Sequence, residues 1–327
     1  MPNNANHSVH LLERNGYFIE NDLLSAMDLQ PLIRDIENEI DNNLINRRVS
    51  VDTMKAEDAS FEKRLHKLET EFDSGFMIRK SVTGKHLKSA GLLDLANNKK
   101  LLDIVEGLVG PEILFHPQYN IQAKMPFEHQ SQIPWHQDLW FLDREAERTP
   151  MVNLWIPLVN VTIENGCLEM IQGSHNLGLR KHQQLAGYPG DHIGISDIGL
   201  PAGKHVPCPI RKGGAVFFRH KTIHRSFPNR DDTIRWSIDI RYSDARKPTG
   251  RNVPGLLVRS QSSPENVNAS LSNWLNLNLT IKIFVHSLVR DYFVKVDGVV
   301  FLHPIRSNCE EEFFKKEESA GQENSHK

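Results

Sequence analysis

The sequence predicts a mainly β fold, an antiparallel sandwich or barrel with helices flanking it. Three observations point there. Before residue 110, apolar residues recur at helical spacing. After Pro111 the chain breaks into short apolar or alternating runs punctuated by Gly, Pro, Asn and Asp. Two connections, 126–150 and 172–212, are far longer than the turns between those runs, and long loops in a compact domain tend to carry function.

Residues 9–46 read as a helical entry. Gly16-Tyr17-Phe18 leads into Asn21-Asp22, a candidate cap for a helix through Leu23, Leu24 and Met27. Pro31 fits the first turn of a second helix, with Leu32, Ile33, Ile36 and Ile40 at helical spacing. A third helix runs from Asn98 to Leu108 and stops at Gly110-Pro111. The strand runs are ILFHPQYNIQAKM, MVNLWIPLVNVT, CLEMI, AVFF and TIRWSIDIRY. There is no internal repeat. Beyond about residue 262 the pattern degrades. Residues 271–305 mix apolar runs with Lys282, His286, Arg290 and Asp291, so no uncharged run there is long enough to span a membrane. Residues 306–327 are polar and charged, and are expected to be disordered.

A length of 327 residues permits one large domain or two small ones, and 39% hydrophobic with 24% charged residues is an ordinary globular balance. A net charge of -2 gives no electrostatic case for nucleic acid or an anionic membrane as partner. The three cysteines, Cys167, Cys208 and Cys309, lack metal-type spacing and leave an odd thiol, which favours a reducing compartment. Neither a secretory leader nor a peroxisomal SKL ending is visible, so a cytoplasmic location is expected. The sequons at Asn268 and Asn278 then read as chance matches.

Trp135-His136-Gln137-Asp138 sets an imidazole and a carboxylate two residues apart. On extended backbone, residues i and i+2 point to one side, so both can reach one metal. With 16 histidines and 41 acidic residues, about two such pairs arise by chance, so this pair alone is weak. The stronger signal lies downstream. His224 and Arg235 flank Phe227-Pro228-Asn229-Arg230-Asp231-Asp232, a candidate turn between strands. A hairpin centred there would set His224 opposite Arg235, Ser226 opposite Thr233 and Thr222 opposite Ser237. In the last strand Thr233, Arg235, Ser237, Asp239 and Arg241 share one face, and Ile234, Trp236, Ile238 and Ile240 the other. A one-sided sheet would turn the polar face to water. A barrel holding a charged ligand would turn it inward, under a helical cover on the apolar face, and His224 on the polar face favours that reading. Two histidines and one carboxylate, without thiolates, suit iron(II) better than structural zinc. Arginine suits a dicarboxylate because it pairs bidentately with a carboxylate.

These pieces resemble the phytanoyl-CoA dioxygenase family. The resemblance covers about residues 10–262 and is densest from Asn120 to Arg251. It rests on WHQD, NLWIPLVNV, NGCLEMIQGSH, GGAVFF, IHRS and IRWSIDIRY, in that order and spacing. It implies a double-stranded β-helix, a squashed jelly-roll barrel. It implies Fe(II), 2-oxoglutarate and O2, with succinate and carbon dioxide released. The implied metal ligands are His136, Asp138 and His224. The implied 2-oxoglutarate anchor is Arg235, with Ser226 as hydroxyl partner and Lys124 and Trp155 at further co-substrate positions. Cys167 and His175 read as structural.

One dioxygenase domain is therefore expected over 1–262, with a helical entry at 9–110 and a barrel at 111–245. Residues 263–327 form an atypical extension whose last twenty or so residues are expected to be disordered. The expected activity is oxidation of a C–H bond in a small organic molecule. Retention of Asp138 favours hydroxylation over halogenation. The rival class is a non-catalytic barrel that binds metal or a small molecule without turnover. Asn120, Gln122, Trp140 and Phe141 are candidate substrate contacts. Substrate choice is expected in residues 139–150 and 174–212, which carry Arg144, Arg180 and Lys181.

Overall fold

The helical periodicity before residue 110 produces α1 (Asn3–Asn15), α2 (Ala26–Asn46), α3 (Arg64–Glu71), α4 (Gly75–Val82), α5 (Ala90–Ala96) and α6 (Lys99–Val109). A short strand, β1 (Tyr17–Glu20), follows α1. The structure is a computed structural model that describes residues 3–48, 60–72, 75–128, 132–186, 192–267, 269–277, 295–296 and 299–300.

The helical entry differs from expectation at both of its start signals. Gly16-Tyr17-Phe18, read as part of the helical entry, instead leads into β1. Asn21-Asp22 caps nothing; Asp22 takes a left-handed φ of 55° and Met27 is 83% exposed. Ser25 is the cap, because its hydroxyl accepts from the Asp28 N–H while the Asp28 carboxylate accepts from the Ser25 N–H. The 21 residues that follow form one helix, with Pro31 inside it rather than opening a second. Leu29, Leu32, Ile33, Ile36, Ile40 and Leu44 form its buried stripe, each contributing about 1.5–3 kcal/mol by leaving water. α5 crosses α2 closely at Gly91, where a Cβ would meet the backbone of Pro31 and Leu32 at 2.4 Å. The Gly91 N–H donates to Asp35 at 2.7 Å, tying the start of α5 to α2. α6 is bounded as expected, with Asn98 as cap and Gly110 at φ 101° as stop.

After Pro111 come β2 (Ile113–Phe115), β3 (Asn120–Lys124), β4 (Met151–Pro157), β5 (Leu168–Ile171), β6 (Gln183–Gln184), β7 (Ile193–Gly194), β8 (His205–Cys208), β9 (Ala215–Arg219), β10 (His224–Ser226), β11 (Arg235–Asp244) and β12 (Leu256–Arg259). The larger sheet runs β1-β9-β4-β11-β2-β12, with β3 also on β11. The smaller runs β10-β5-β8. This is the double-stranded β-helix. Two of its strands, β1 and β12, come from outside the expected 111–245 span, and β6, β7 and β8 lie inside what read as one long loop.

β11 is the central strand, with β4 along one side and β3, then β2, along the other. Its alternation works as a two-sided wall. Ile234, Trp236, Ile238 and Ile240 are buried outward, under the helices. Trp236 donates to the Phe61 carbonyl and Tyr242 to the Ala96 carbonyl, fixing the helical layer on the strand. The polar face turns inward.

The predicted hairpin between His224 and Arg235 does not form. β10 pairs with β5, and β11 pairs with β2, β3 and β4, so the two strands belong to different sheets. Residues 227–234 cross between the sheets. Asn229 pins that crossing by donating to the Lys124 and Thr233 carbonyls, and Arg230 N–H donates to the Glu164 carbonyl.

A compact unit runs from Met1 to Leu277, past residue 262. Its last helix, α7 (Leu271–Asn276), buries Trp274 against Phe115 and Tyr119. Asn278–Lys327 forms a second unit, in which β13 (Lys295–Val296) pairs with β14 (Val299–Val300). The expectations for Asn268, for Asn278, for Cys309 and for the polar segment 306–327 lie outside the described residues. Among the described residues no helix is long and apolar enough to cross a membrane.

Candidate active site

His136, Asp138 and His224 converge. One ligand-capable atom from each lies within 4.8 Å of the others. The i, i+2 argument holds locally, because Gln137 is extended at φ -121° and ψ 131°, although Asp138 opens a 3-10 turn rather than continuing a strand. Gln137 faces the other way. It donates to the Gly178 and Lys221 carbonyls and accepts from the Arg180 N–H, which clamps the loop. His136 and His224 exchange backbone hydrogen bonds of 2.9 and 3.0 Å, which add His136 to the edge of the smaller sheet beside β10.

The histidines are pre-set. His136 Nδ1 lies 2.9 Å from the Pro134 carbonyl, and His224 Nδ1 lies 2.9 Å from the Thr222 carbonyl. A carbonyl only accepts, so each Nδ1 carries the proton and each Nε2 keeps a lone pair for a metal. Burial, then the neighbouring His136, push His224 down to about 3. Burial opposes charge on His136 too, but the Asp138 carboxylate outweighs it and raises the pKa. Burial would raise Asp138; the Arg241 guanidinium and the histidines reverse that and hold it well below the usual carboxylate range. Asp138 Oδ2 accepts from Asn153 and, at 3.1 Å, from Arg241. Its Oδ1 lies 3.6 Å from His136 Nε2.

A second cluster lies along β11. Arg235 is fully buried, with Nη1 on the Ser237 hydroxyl and Nε and Nη2 without a partner among the described residues. Its guanidinium lies 5.2 Å from the Trp155 ring, whose Nε1 donates to the same hydroxyl at 3.1 Å. Lys124 sits beside Arg235 across the β3–β11 register and is also buried. Its ammonium donates to the Ser226 hydroxyl at 2.7 Å and the Phe227 carbonyl at 2.5 Å. Gly166, at φ 95°, leaves the space; a Cβ there would meet Lys124 Cδ at 2.8 Å. Burial, then Arg235, depress the Lys124 pKa, and burial brings Arg235 down to about 10. A buried guanidinium with two orphaned donors, beside a second buried basic group, makes a receptor for a carboxylate.

A cavity of about 310 Å³ opens between the sheets at the three-donor cluster. Asn120, Gln122 and Phe141, three of the candidate substrate contacts, line it. Trp140 is not among its described lining residues; the ring stacks on His182 at 4.7 Å and supports the loop. No described residue of 174–212 lines it either. His175 faces the Glu13 carbonyl at 2.9 Å, and Cys167 is buried in the core. Sequence reasoning missed Asn153, which holds Asp138. A polar residue on the Trp155 face of an apolar strand was the available signal. Asp239 also lines the cavity, where burial and then Asp138 push it up to about 7, with Gln122 donating to it at 2.6 Å.

The fold and the site together define the class: a double-stranded β-helix with a two-histidine, one-carboxylate centre and a buried cationic pair beside it. The model of the phytanoyl-CoA dioxygenase family (PhyH) matches residues 12–237, and the chain belongs to that family. It is 33% identical over 113 residues to "Phytanoyl-CoA dioxygenase domain-containing protein 1" of Mus musculus, covering 34% of this chain and 38% of the relative. It is 28% identical over 150 residues to "Phytanoyl-CoA dioxygenase, peroxisomal" of Bos taurus, covering 45% and 44%. The chain thus matches less than half the length of these curated relatives. Among solved structures, the apo form of the non-heme monooxygenase ThoJ superposes with a TM-score of 0.56 at 20% identity, over 87% of this chain and 99% of that one. The non-heme alpha ketoglutarate dependent carbocyclase SnoK from nogalamycin biosynthesis gives 0.50 at 18%, over 73% and 83%. At these identities the likeness establishes the fold.

Proposed function

We propose that the protein is an Fe(II)- and 2-oxoglutarate-dependent oxygenase that oxidises a C–H bond of a small organic molecule and releases succinate and carbon dioxide. The observation that carries this reading is the pairing of two receptors on one barrel interior. Three metal donors converge beside the cavity, and a buried arginine on β11, Arg235, has two N–H groups without a partner among the described residues, with the buried Lys124 beside it on β3.

In this reading His136, Asp138 and His224 hold iron on one side, leaving positions for co-substrate and oxygen. Arg235 takes the distal carboxylate of 2-oxoglutarate, with Lys124 and Ser226 as further donors and Trp155 orienting the guanidinium. Bound iron supplies the oxygen-activating redox chemistry. The chain does the rest. Asn153 and Arg241 fix the carboxylate of Asp138, the Pro134 and Thr222 carbonyls fix both imidazole tautomers, and Phe141 screens the cavity beside His136. We place the working enzyme in the cytoplasm and assign it a small-molecule substrate.

Anaerobic reconstitution with Fe(II) and 2-oxoglutarate tests the reading. A metal-to-ligand absorption band, succinate formation on admitting oxygen, and oxygenated products in a metabolite screen are expected. Bound iron without any 2-oxoglutarate turnover would instead identify a barrel that binds without catalysis.

A further inference from the structure

Arg241 is not used up by its bond to Asp138. It is 5% exposed and lines the cavity, yet its Nε and Nη1 have no hydrogen-bond partner among the described residues. A buried guanidinium nitrogen without a partner is costly, so the site is complete only with an acceptor there. The co-substrate does not supply it. Arg235 and Arg241 are separated by about 20 Å of strand, and Arg235 already has its own cationic neighbour and its own orphaned donors.

Beyond Asp138 and Asp239, the groups around Arg241 are basic. Arg251 donates from Nε to Gln118 at 2.8 Å, and Gln118 lines the cavity. Lys85 is near enough that, after burial, Arg251 and Arg241 both depress its pKa. The same two arginines and Lys85 act on His116, which burial first drives down to about 3. His116 Nδ1 accepts from the Gln118 N–H and its Nε2 faces the Thr249 carbonyl, so it stays neutral. Three carboxylates are within electrostatic reach of this corner. Asp239 accepts from Gln122 and feels Arg241, which lowers its pKa against burial; Asp143 acts on Arg251; and among the described residues Asp138 is the only carboxylate paired with Arg241. A dication on Asp138 would draw on that carboxylate's charge and leave Arg241 less neutralised than it is here.

We propose that the substrate carries an oxyanion, a carboxylate or a phosphate, which Arg241 anchors inside the cavity with Arg251 at its rim. The proposal rests on the oxygenase reading and deepens it by naming the substrate class. Arg241 then has two tasks: it orients Asp138 through Nη2, and it recognises substrate through Nε and Nη1.

The test uses the full chain and three probes of one chain length: hexanoate, the neutral hexanamide, and hexyl phosphate. Binding is read by calorimetry on the metal-free protein and again on the anaerobic protein loaded with Fe(II) and 2-oxoglutarate. At least one anion should bind tenfold or more tighter than hexanamide. The tighter of the two assigns carboxylate or phosphate. Arg241→Lys keeps a cation beside Asp138 but loses the planar donor set, and should lose at least fivefold of that preference. Arg251→Gln, which does not touch Asp138, should lose two- to threefold. Equal binding of charged and neutral probes by the unaltered protein overturns the proposal, and so does full anion preference in both variants. Failure of the 2-oxoglutarate band to form, with anion preference intact, would count against the oxygenase reading and not against the anion site.

Discussion

Replacing Arg235 by Gln separates binding from stability. In the folded chain Arg235 is a fully buried cation with Lys124 alongside, and among the described residues its side chain hydrogen-bonds the Ser237 hydroxyl alone. Removing a buried charge that has no ion-pair partner among the described residues relieves a desolvation cost of several kcal/mol, against which stand the longer-range attraction of Asp239, the lost stacking on Trp155 and one lost hydrogen bond. The co-substrate-free protein should therefore melt no lower than wild type. Binding moves the other way. Truncating one partner of a buried charge-assisted pair costs about 2–5 kcal/mol, roughly 30- to 4,000-fold in 2-oxoglutarate affinity. Anaerobic titration of the metal-to-ligand band measures that loss. A melt with 2-oxoglutarate at a hundred times the wild-type Kd, worth about 2.7 kcal/mol to the wild type, shows it as a missing stabilisation of about 1.9–2.7 kcal/mol. Unchanged affinity would refute the anchor, and a melt that drops sharply without ligand would show that Arg235 is structural.

His136→Ala and Asp138→Ala should each lower the iron-to-protein ratio to near zero while circular dichroism stays unchanged; near-normal succinate formation by either variant removes it from the ligand set. Metal-free protein should lose stability as pH falls below 6.5. His116 and His224 are driven down to about 3 and His182 and His220 to about 4, chiefly by burial. Their stabilisation is complete above the unfolded value of 6.5 and is lost toward the folded values, at up to about 1.4 kcal/mol per pH unit for each, while His136, with its pKa raised, opposes them. A urea midpoint that is the same at pH 7 and pH 5 would contradict this. Trp274→Ala should cost about 3–5 kcal/mol, because the ring is 2% exposed against Phe115 and Tyr119; an unchanged melt would mean that α7 does not dock.

The sequence made some of this legible and hid the rest for definite reasons. Alternation in residues 233–242 names the two faces of β11 correctly, because side-chain direction is a property of the strand itself. Pairing is not. Whether β10 hydrogen-bonds to β11 or to β5 depends on where residues 227–234 travel, and the carbonyls that pin Asn229 in that crossing belong in part to Lys124, 105 positions away. The expected hairpin was therefore wrong in partner. It still brought His224 and Arg235 to one interior, because facing sheets, like paired strands, put inward residues together: Lys124 beside Arg235 reaches Ser226 on β10. Start signals failed for the same physical reason. Asn21-Asp22 and Ser25 are all capping residues, and the reciprocal bond to Asp28, visible as S-x-x-D, is what selects Ser25. Asn153 is the more instructive miss. Its strand reads as continuous apolar core, and the one polar residue on the Trp155 face is the one that holds Asp138. A buried amide in such a strand must find a partner, so its presence already implied a polar group facing it across the barrel.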